Sequence, residues 1–327
     1  MSQLRVLVTG GAGYIGSVLC QHLLEAGHQV VVLDNMMYGQ RSLFQYCSHP
    51  NFDFVLRDCR DEAALRRLVA KADVIIALAA IVGAPACAFD PELARSVNVD
   101  AIRLLNGMRS PDQLLIYPTT NSGYGTKSGD LLCTEETPLE PVSIYGMTKV
   151  QMEAELLQTS NVIALRLASV FGTSPRMRLG LLVNDFVYAA FKQRYIVLFE
   201  ADFKRNYVHI RDVADCFLFC MEHRREMAGR VFNVGMDAAD ASKRELAETI
   251  KTFVPDFRIF EAPLGEDPDK RNYIVSSQRL RDAGFEPSRT LELGIAELWK
   301  AYQMIGRDEF ENARFVGAEL GSGGRQT

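Results

Sequence analysis

Tyr145 and Lys149 stand four residues apart in the run Tyr145-Gly-Met-Thr-Lys149. On a helix that spacing puts both side chains on one face, a turn apart. An ammonium beside a phenol favours the phenolate and draws down a pKa that is ordinarily about 10. A phenol tuned in this way can take a proton from a sugar or alcohol hydroxyl while hydride leaves the same carbon. The same spacing also arises by coincidence on solvated helices. The pair therefore counts only if other segments build a site for a hydride acceptor around it.

The preceding segments have that order. Leu4 to Thr9 is a continuous apolar run of the kind used by a strand buried on both faces. Gly10-Gly-Ala-Gly-Tyr-Ile-Gly16 follows, then a helical pattern through Val18, Leu19, Leu23 and Leu24, with Gly27 placed to end it. Gly10, Gly13 and Gly16 keep such a turn tight and bring backbone N–H groups up to a pyrophosphate at the helix N-terminus. A second strand, Gln29 to Asp34, ends in an acid. That carboxylate can accept from both ribose hydroxyls and would repel a 2′-phosphate, which points to NAD rather than NADP.

The alternation continues. Phe52 to Leu56 reads as a strand, with a helix from about Glu62 to Ala70, and Ala72 to Leu78 as a strand running into Ala79-Ala80. Asp90-Pro91-Glu92 supplies an N-cap, a proline at N1 and a first-turn acid for a helix that runs to about Met108 and carries Asn98. Gln113 to Tyr117 is a fifth strand that leads to Thr119-Thr-Asn-Ser-Gly-Tyr-Gly125, and Val162 to Leu167 is a sixth. Strands alternating with helices predict an α/β fold, a doubly wound parallel sheet covered by helices on both faces. The second half is less regular and predicts a smaller, mixed substrate lobe. The expected division is a dinucleotide domain over 1–172, joined by elements from about 205–236, a discontinuous substrate lobe over 173–305 and a tail over 306–327.

Composition excludes other classes. The 327 residues are 48% apolar and 24% charged, with a formal net charge of −5, so an ordinary globular protein is expected and a general nucleic-acid binder is not. No apolar run is long enough to span a bilayer, and Met1-Ser-Gln-Leu-Arg5 leads straight into a strand. With 7 cysteines in no Cys-x-x-Cys spacing, reduced thiols, a cytoplasmic setting and no metal site are expected. Cys216 and Cys220 share a helix face without a nearby histidine.

Thr9 to Gly16, Asp34-Asn35, Asp58, Leu78-Ala-Ala80, Asn98, Thr120 and Tyr145-x-x-x-Lys149 together resemble the extended short-chain dehydrogenase/reductases, and within them the nucleotide-sugar epimerase/dehydratase branch. The likeness covers the chain to about residue 305. It implies a Rossmann domain whose NAD site is lined by Tyr14, Ile15, Asp34, Asn35, Asp58, Cys59, Leu78, Ala79, Ala80, Ile81 and Asn98. It implies that Lys149 holds the nicotinamide ribose and lowers the Tyr145 pKa, and that Thr120 hydrogen-bonds the substrate hydroxyl. It further implies that Arg205 and a basic residue near Arg271 meet the diphosphate of a nucleotide sugar, and that the Asn184 region contributes contacts. Arg176 or Arg178 is a further candidate, because the planar guanidinium fork suits phosphate. One position departs from the pattern: Ala77 stands where many members have histidine. Related enzymes pair the Asp90 and Tyr145 helices into a four-helix bundle, so a homodimer or a multiple of one is expected. Leu93, Val97, Leu104, Val150 and Leu157 are the candidate contacts.

The loop after the fifth strand separates branches. The 4,6-dehydratases resemble one another in carrying Thr-Asp-Glu there, whereas this chain has Thr120-Asn121-Ser122. An amide and a hydroxyl cannot replace an acid–base pair, so what remains is oxidation at one carbon, most plausibly C4, with Thr120, Asn121 and Ser122 meeting the sugar. The first reading is release of the ketone, a 4-dehydrogenase: three longer stretches, Tyr117 to Gly125, Ser174 to Phe186 and Gly265 to Arg271, resemble enzymes that oxidise GDP-heptose at C4. Re-reduction on the other face would make a 4-epimerase acting on a UDP-, GDP- or other activated sugar. A non-catalytic NAD-binding sensor is the reading from another class. Such proteins typically break the Tyr-x-x-x-Lys pair, which is intact here. The Asp34 carboxylate yields the first prediction: cofactor freed by denaturing the purified protein is NAD(H), and recovery of mainly NADP(H) would refute the assignment.

Overall fold

The computed structural model describes residues 3–127, 131–262 and 272–304. In chain order the first part contains β1 (Arg5–Thr9), α1 (Tyr14–Glu25), β2 (Gln29–Asp34), β3 (Phe52–Leu56), α2 (Glu62–Val69), β4 (Val74–Ala77), α3 (Ala84–Phe89), α4 (Pro91–Arg95), α5 (Ala101–Met108), β5 (Leu114–Thr120), β6 (Leu132–Cys133), α6 (Ile144–Leu156) and β7 (Val162–Leu167). The remainder contains β8 (Ser169–Phe171), α7 (Leu182–Lys192), β9 (Tyr195–Leu198), β10 (Lys204–His209), α8 (Ile210–Glu222), α9 (Arg224–Met227), β11 (Arg230–Val234), β12 (Met236–Ser242), α10 (Lys243–Phe253), β13 (Arg258–Glu261), β14 (Ile274–Val275), α11 (Gln278–Asp282) and α12 (Leu291–Met304).

Seven strands form one parallel sheet in the order β11-β7-β5-β4-β1-β2-β3. The apolar runs that mark β4, β5 and β7 in the sequence are buried along their whole length, as strands covered on both faces must be. Strand order reverses between β1 and β4, and in open α/β sheets ligands bind at that switch point, beyond the carboxyl ends of the strands. Here the two ends touch. Gly10 has φ +72°, and a Cβ on it would sit 2.5 Å from the Ala79 nitrogen, so only glycine lets the β1 turn lie against the end of β4. The second lobe is built from the mixed sheet β12-β10-β8 and the parallel pairs β13-β9 and β14-β6. Its separate core gathers Phe186, Tyr207, Leu246 and Ile295. Among the described residues no helix is long and apolar enough to cross a membrane.

Several local expectations have direct counterparts. The Asp90 carboxylate accepts from the Leu93 N–H at 2.9 Å with Pro91 at the first helical position, and Gly27 follows α1 with φ +82°. The helix expected to run unbroken from Asp90 to Met108 is interrupted: Ser96–Asp100 is a π-helical turn between α4 and α5. The inserted turn rotates Asn98 inward, where it is buried. The candidate dimer contacts divide differently from the expectation. Leu93 and Val97 line the cleft beside Tyr145, and Val150 packs on the 123 turn, whereas Phe89, Val142 and Met147 are the exposed apolar residues of this region.

Helix α6 is fixed to the sheet by charge. Glu153, two turns after Tyr145 on the same face, is buried and takes two bonds from Arg166 of β7, Nη2 at 2.5 Å and Nε at 3.0 Å. Arg166 Nη1 donates to the Tyr124 hydroxyl at 2.9 Å and to the Glu135 carbonyl at 3.1 Å. Removing one member of a buried ion pair strands its partner's charge, which typically costs about 3–5 kcal/mol, whereas apolar replacement of both can be near neutral. Arg166→Met is therefore expected to lose about that much stability in chemical denaturation, and Arg166→Met with Glu153→Leu to recover most of it.

Candidate active site

The cleft at the switch point is lined by Gly10, the Gly13 to Gly16 turn, Asp34, Asn35, Asp58, Cys59, Leu78 to Val82, Tyr145, Lys149 and two arginines, Arg176 and Arg178. At its floor α1 is preceded at the N-cap by Gly13, which has no side chain to cap the helix. The first-turn N–H groups and the positive end of the helix dipole are thus open to an anion. Asp34 is held in place by the Ala12 N–H (3.0 Å) and the Met36 N–H (2.8 Å), while burial pushes its carboxyl pKa up. Asp58 takes Arg60 Nε at 2.7 Å and Asn35 Nδ2 at 3.1 Å; with the Arg60 hydrogen bond leading, its pKa falls to about 2. The turn, the uncapped helix and the acid at the end of β2 fit a dinucleotide. Its pyrophosphate would meet α1, its adenosine ribose Asp34, and its nicotinamide ribose Lys149.

Tyr145 and Lys149 come from the N-terminal half of α6, which is capped by Ser143; the Ser143 hydroxyl accepts from the Gly146 N–H at 3.1 Å. Lys149 is buried with its ammonium 4.4 Å from the centre of the Tyr117 ring, and among the described residues no carboxylate pairs with it. Burial lowers its pKa from 10.5 to about 7. The ammonium is therefore close to its titration point and sensitive to whatever enters the cleft.

The other expected site residues do not all reach the cleft. Thr120, Asn121 and Ser122 end β5 and begin a 3₁₀ turn; all three are buried, and Thr120 Oγ1 lies 2.9 Å from Ser122 Oγ. The Asn121 amide has no hydrogen-bond partner among the described residues. Asn98, expected to line the cofactor, instead holds the loop that does: its amide accepts from the Ile81 N–H (2.8 Å) and donates to the Ile81 carbonyl (2.9 Å) and to Thr148 (3.3 Å). Asn184, expected at the substrate, is fully buried, accepts from the Gly172 N–H at 3.1 Å and donates to the Arg178 carbonyl at 3.1 Å. Its amide is spent on shaping the chain between β8 and α7. Arg205 is buried on β10 opposite Ala241, outside the cleft lining. Arg271 and the tail beyond 304 lie outside the described residues. Arg176, expected at the substrate, lies in the dinucleotide cleft with its guanidinium 5.0 Å from the centre of the Tyr38 ring. His209 is a packed capping residue: it caps α8 by accepting from the Arg211 N–H and faces Glu297 at 3.1 Å. Sequence reasoning missed Tyr38, Gln40, Arg60 and Val82 in the lining. Only Arg60 carries a signal, as a base two residues after the Asp58 it holds.

Comparison with known proteins identifies the family and the fold. The model of a family described as the NAD dependent epimerase/dehydratase family matches residues 6–235. A UDP-glucose 4-epimerase of Mycolicibacterium smegmatis is 33% identical over 312 residues, covering 90% of this chain and 97% of its own. The structure of UDP-glucose 4-epimerase with UDP-glucose from Thermotoga maritima superposes with a TM-score of 0.81 at 23% identity, over 92% of this chain and 99% of that one. A dTDP-glucose 4,6-dehydratase of Bacillus anthracis in complex with NAD gives 0.80 at 24% identity, over 94% and 98%.

Lys149 sets stability against function. Between about pH 7, its value in the cofactor-free fold, and 10.5, its ordinary value, the unfolded chain binds more protons, so stability rises with pH over that window. Below pH 7 the full cost of burying the ammonium remains. Cofactor-free Lys149→Met is thus expected to exceed the wild type by a few kcal/mol at pH 6, with the gap narrowing towards pH 10, and to be inactive. Thermal melts across that range check it.

Proposed function

The chain belongs to the NAD-dependent epimerase/dehydratase family, and we propose that within it the protein is a nucleotide-sugar 4-epimerase. Bound NAD supplies the hydride acceptor at C4 and the donor that returns it. Lys149 favours the Tyr145 phenolate across one helical turn, and that phenolate takes the C4 hydroxyl proton and becomes the phenol. Thr120 orients the sugar hydroxyl, with Ser122 bonded to it. On re-reduction Tyr145 returns its proton to the C4 oxygen.

The observation that carries this reading is the placement of acids. Among the described residues lining the cleft the only carboxylates are Asp34 and Asp58. They stand at the ends of β2 and β3, separated from β5 by β1 and β4 in the sheet order. Among the described residues no acid–base pair flanks Thr120, so the elimination of water that a 4,6-dehydratase performs has no proton donor or acceptor among them. This supports simple oxidation at C4. The sequence alone placed release of the ketone ahead of its re-reduction. Several relatives of this length named as 4-epimerases reverse that order, and the GDP-heptose stretches are a narrower resemblance. The activated sugar is read as a nucleoside diphosphate sugar, a UDP-sugar being the first to try.

Tyr145→Phe removes the proton acceptor but keeps the ring. Turnover is expected to fall by roughly 10²–10⁴-fold while nucleotide-sugar binding changes little. Wild-type product analysed by NMR should be the C4 epimer with its C6 hydroxyl retained. A 4-keto sugar accumulating with stoichiometric NADH would establish the dehydrogenase instead, and a 6-deoxy product would refute both.

A further inference from the structure

The segment from Gly172 to Arg178 crosses the cleft as a strap. It is anchored on α1 at one end: the Ser174 hydroxyl donates to the Tyr14 carbonyl at 2.7 Å and lies 2.9 Å from Ser17 Oγ, and the Tyr14 hydroxyl donates to the Gly172 carbonyl at 2.7 Å. Two guanidiniums then reach opposite walls. Arg176 lies on Tyr38, in the loop after β2, and Arg178 donates to the Val82 carbonyl, in the loop after β4, at 3.2 Å. Among the described residues neither pairs with a carboxylate; the other bond of the Arg176 side chain is to the Met177 carbonyl. Burial disfavours the charged form of Arg176; Tyr38 partly offsets this, and the charge of Arg178 adds to it. The two acids of the cleft offer no relief, since Asp34 is taken up by backbone N–H groups and Asp58 by Arg60.

Two half-buried cations and an uncapped helix N-terminus thus face one cleft without a counter-ion. Like charges are held together in this way where a polyanion completes the site. We propose that Arg176 and Arg178 grip the diphosphate of the dinucleotide from the side opposite α1, so that the strap is part of the cofactor site and holds NAD in the protein between half-reactions. The diphosphate of a nucleotide sugar has the same chemistry, and the strap's position over the glycine turn favours the cofactor. The inference rests on the family's use of NAD and not on which sugar is turned over.

The test uses the full NAD-loaded chain. Exchange of bound cofactor for excess labelled NAD is followed in wild type, Arg176→Gln, Arg178→Gln and Arg178→Lys, with ADP and adenosine as competing ligands. UDP and GDP affinities are measured on NAD-saturated protein. Loss of a charge-assisted bond to phosphate should speed exchange and weaken ADP by about 10- to 100-fold in each Gln variant. Adenosine, UDP and GDP should be little changed, and Arg178→Lys should fall between wild type and Arg178→Gln. Unchanged exchange in both Gln variants, or a loss confined to UDP and GDP, would overturn the proposal. A wild-type protein that took up no labelled NAD and carried none would sink the cofactor assignment itself.

Discussion

Arg166 is where α6 and the Thr120 turn are brought into register. It stands on β7 directly beside Thr119 of β5, one residue from Thr120. From there its guanidinium reaches Glu153 on the Tyr145–Lys149 face of α6, and the Tyr124 hydroxyl at the end of the Thr120 turn. Tyr124 is itself fixed by the Asn233 side chain at 2.8 Å, from the edge strand β11. One planar cation therefore ties the Tyr145 helix, the Thr120 turn and the sheet to a common origin. Arginine suits this because its five donors are held in one plane and a lysine's three are not. Catalysis by positioning is sensitive to displacements of an ångström, and a helix resting on apolar contacts alone could slide by that much without a large penalty.

Charge along the cleft is graded to match an extended dinucleotide. Carboxylates stand on the β2–β3 side, the helix N-terminus and the strap arginines occupy the middle, and Lys149 lies at the β5 side. Lys149 could have been stabilised by a neighbouring acid, but a fixed counter-ion would neutralise the field that the proposed mechanism needs at Tyr145. The structure instead buries the ammonium against the Tyr117 ring, at a cost in stability that the surrounding sheet absorbs.

Much of this was legible in the sequence because it depends on spacing within one element. Apolar runs marked the buried strands, glycines the turn beyond β1, Asp34 the end of β2, and Tyr145 and Lys149 a shared helix face. What spacing does not reveal is which distant segment meets a side chain. Asn98 reads as a lining residue until the π turn rotates it onto Ile81. Asn184 reads as a free amide until Gly172 and Tyr14 occupy it. Arg176 lies in the second half of the chain, yet it is delivered to Tyr38 in the first. Glu153 did carry a signal, as an acid on the sheetward face of α6, but its partner on β7 could not be read from α6 alone. The second lobe was the least legible because its strands are short and pair with segments far away in sequence.

The strap is held from both sides, and this bears on the chemistry. Beyond its anchor on α1, Thr173 donates its backbone N–H to Glu297 of α12 at 2.9 Å, and Glu297 also takes Arg211 at 2.7 Å. The hydrogen bonds from His209 and Thr173 outweigh burial and keep the Glu297 carboxyl well below the usual carboxylate range. The Tyr302 hydroxyl, further along α12, donates to the Asn184 carbonyl at 2.8 Å. Opening the cleft by lifting the strap would thus disturb α1, α7 and α12 together, a far larger rearrangement than moving a surface loop. An enzyme that discharges reduced cofactor at every turnover is poorly served by such a fastening. One that must keep the same cofactor beside a keto sugar until hydride returns is well served by it, and the demand falls on residues remote from Tyr145. The fastening of the strap is therefore a separate ground from the acids missing around Thr120 among the described residues: those bear on elimination, and the fastening bears on the proposed return of hydride from the same cofactor.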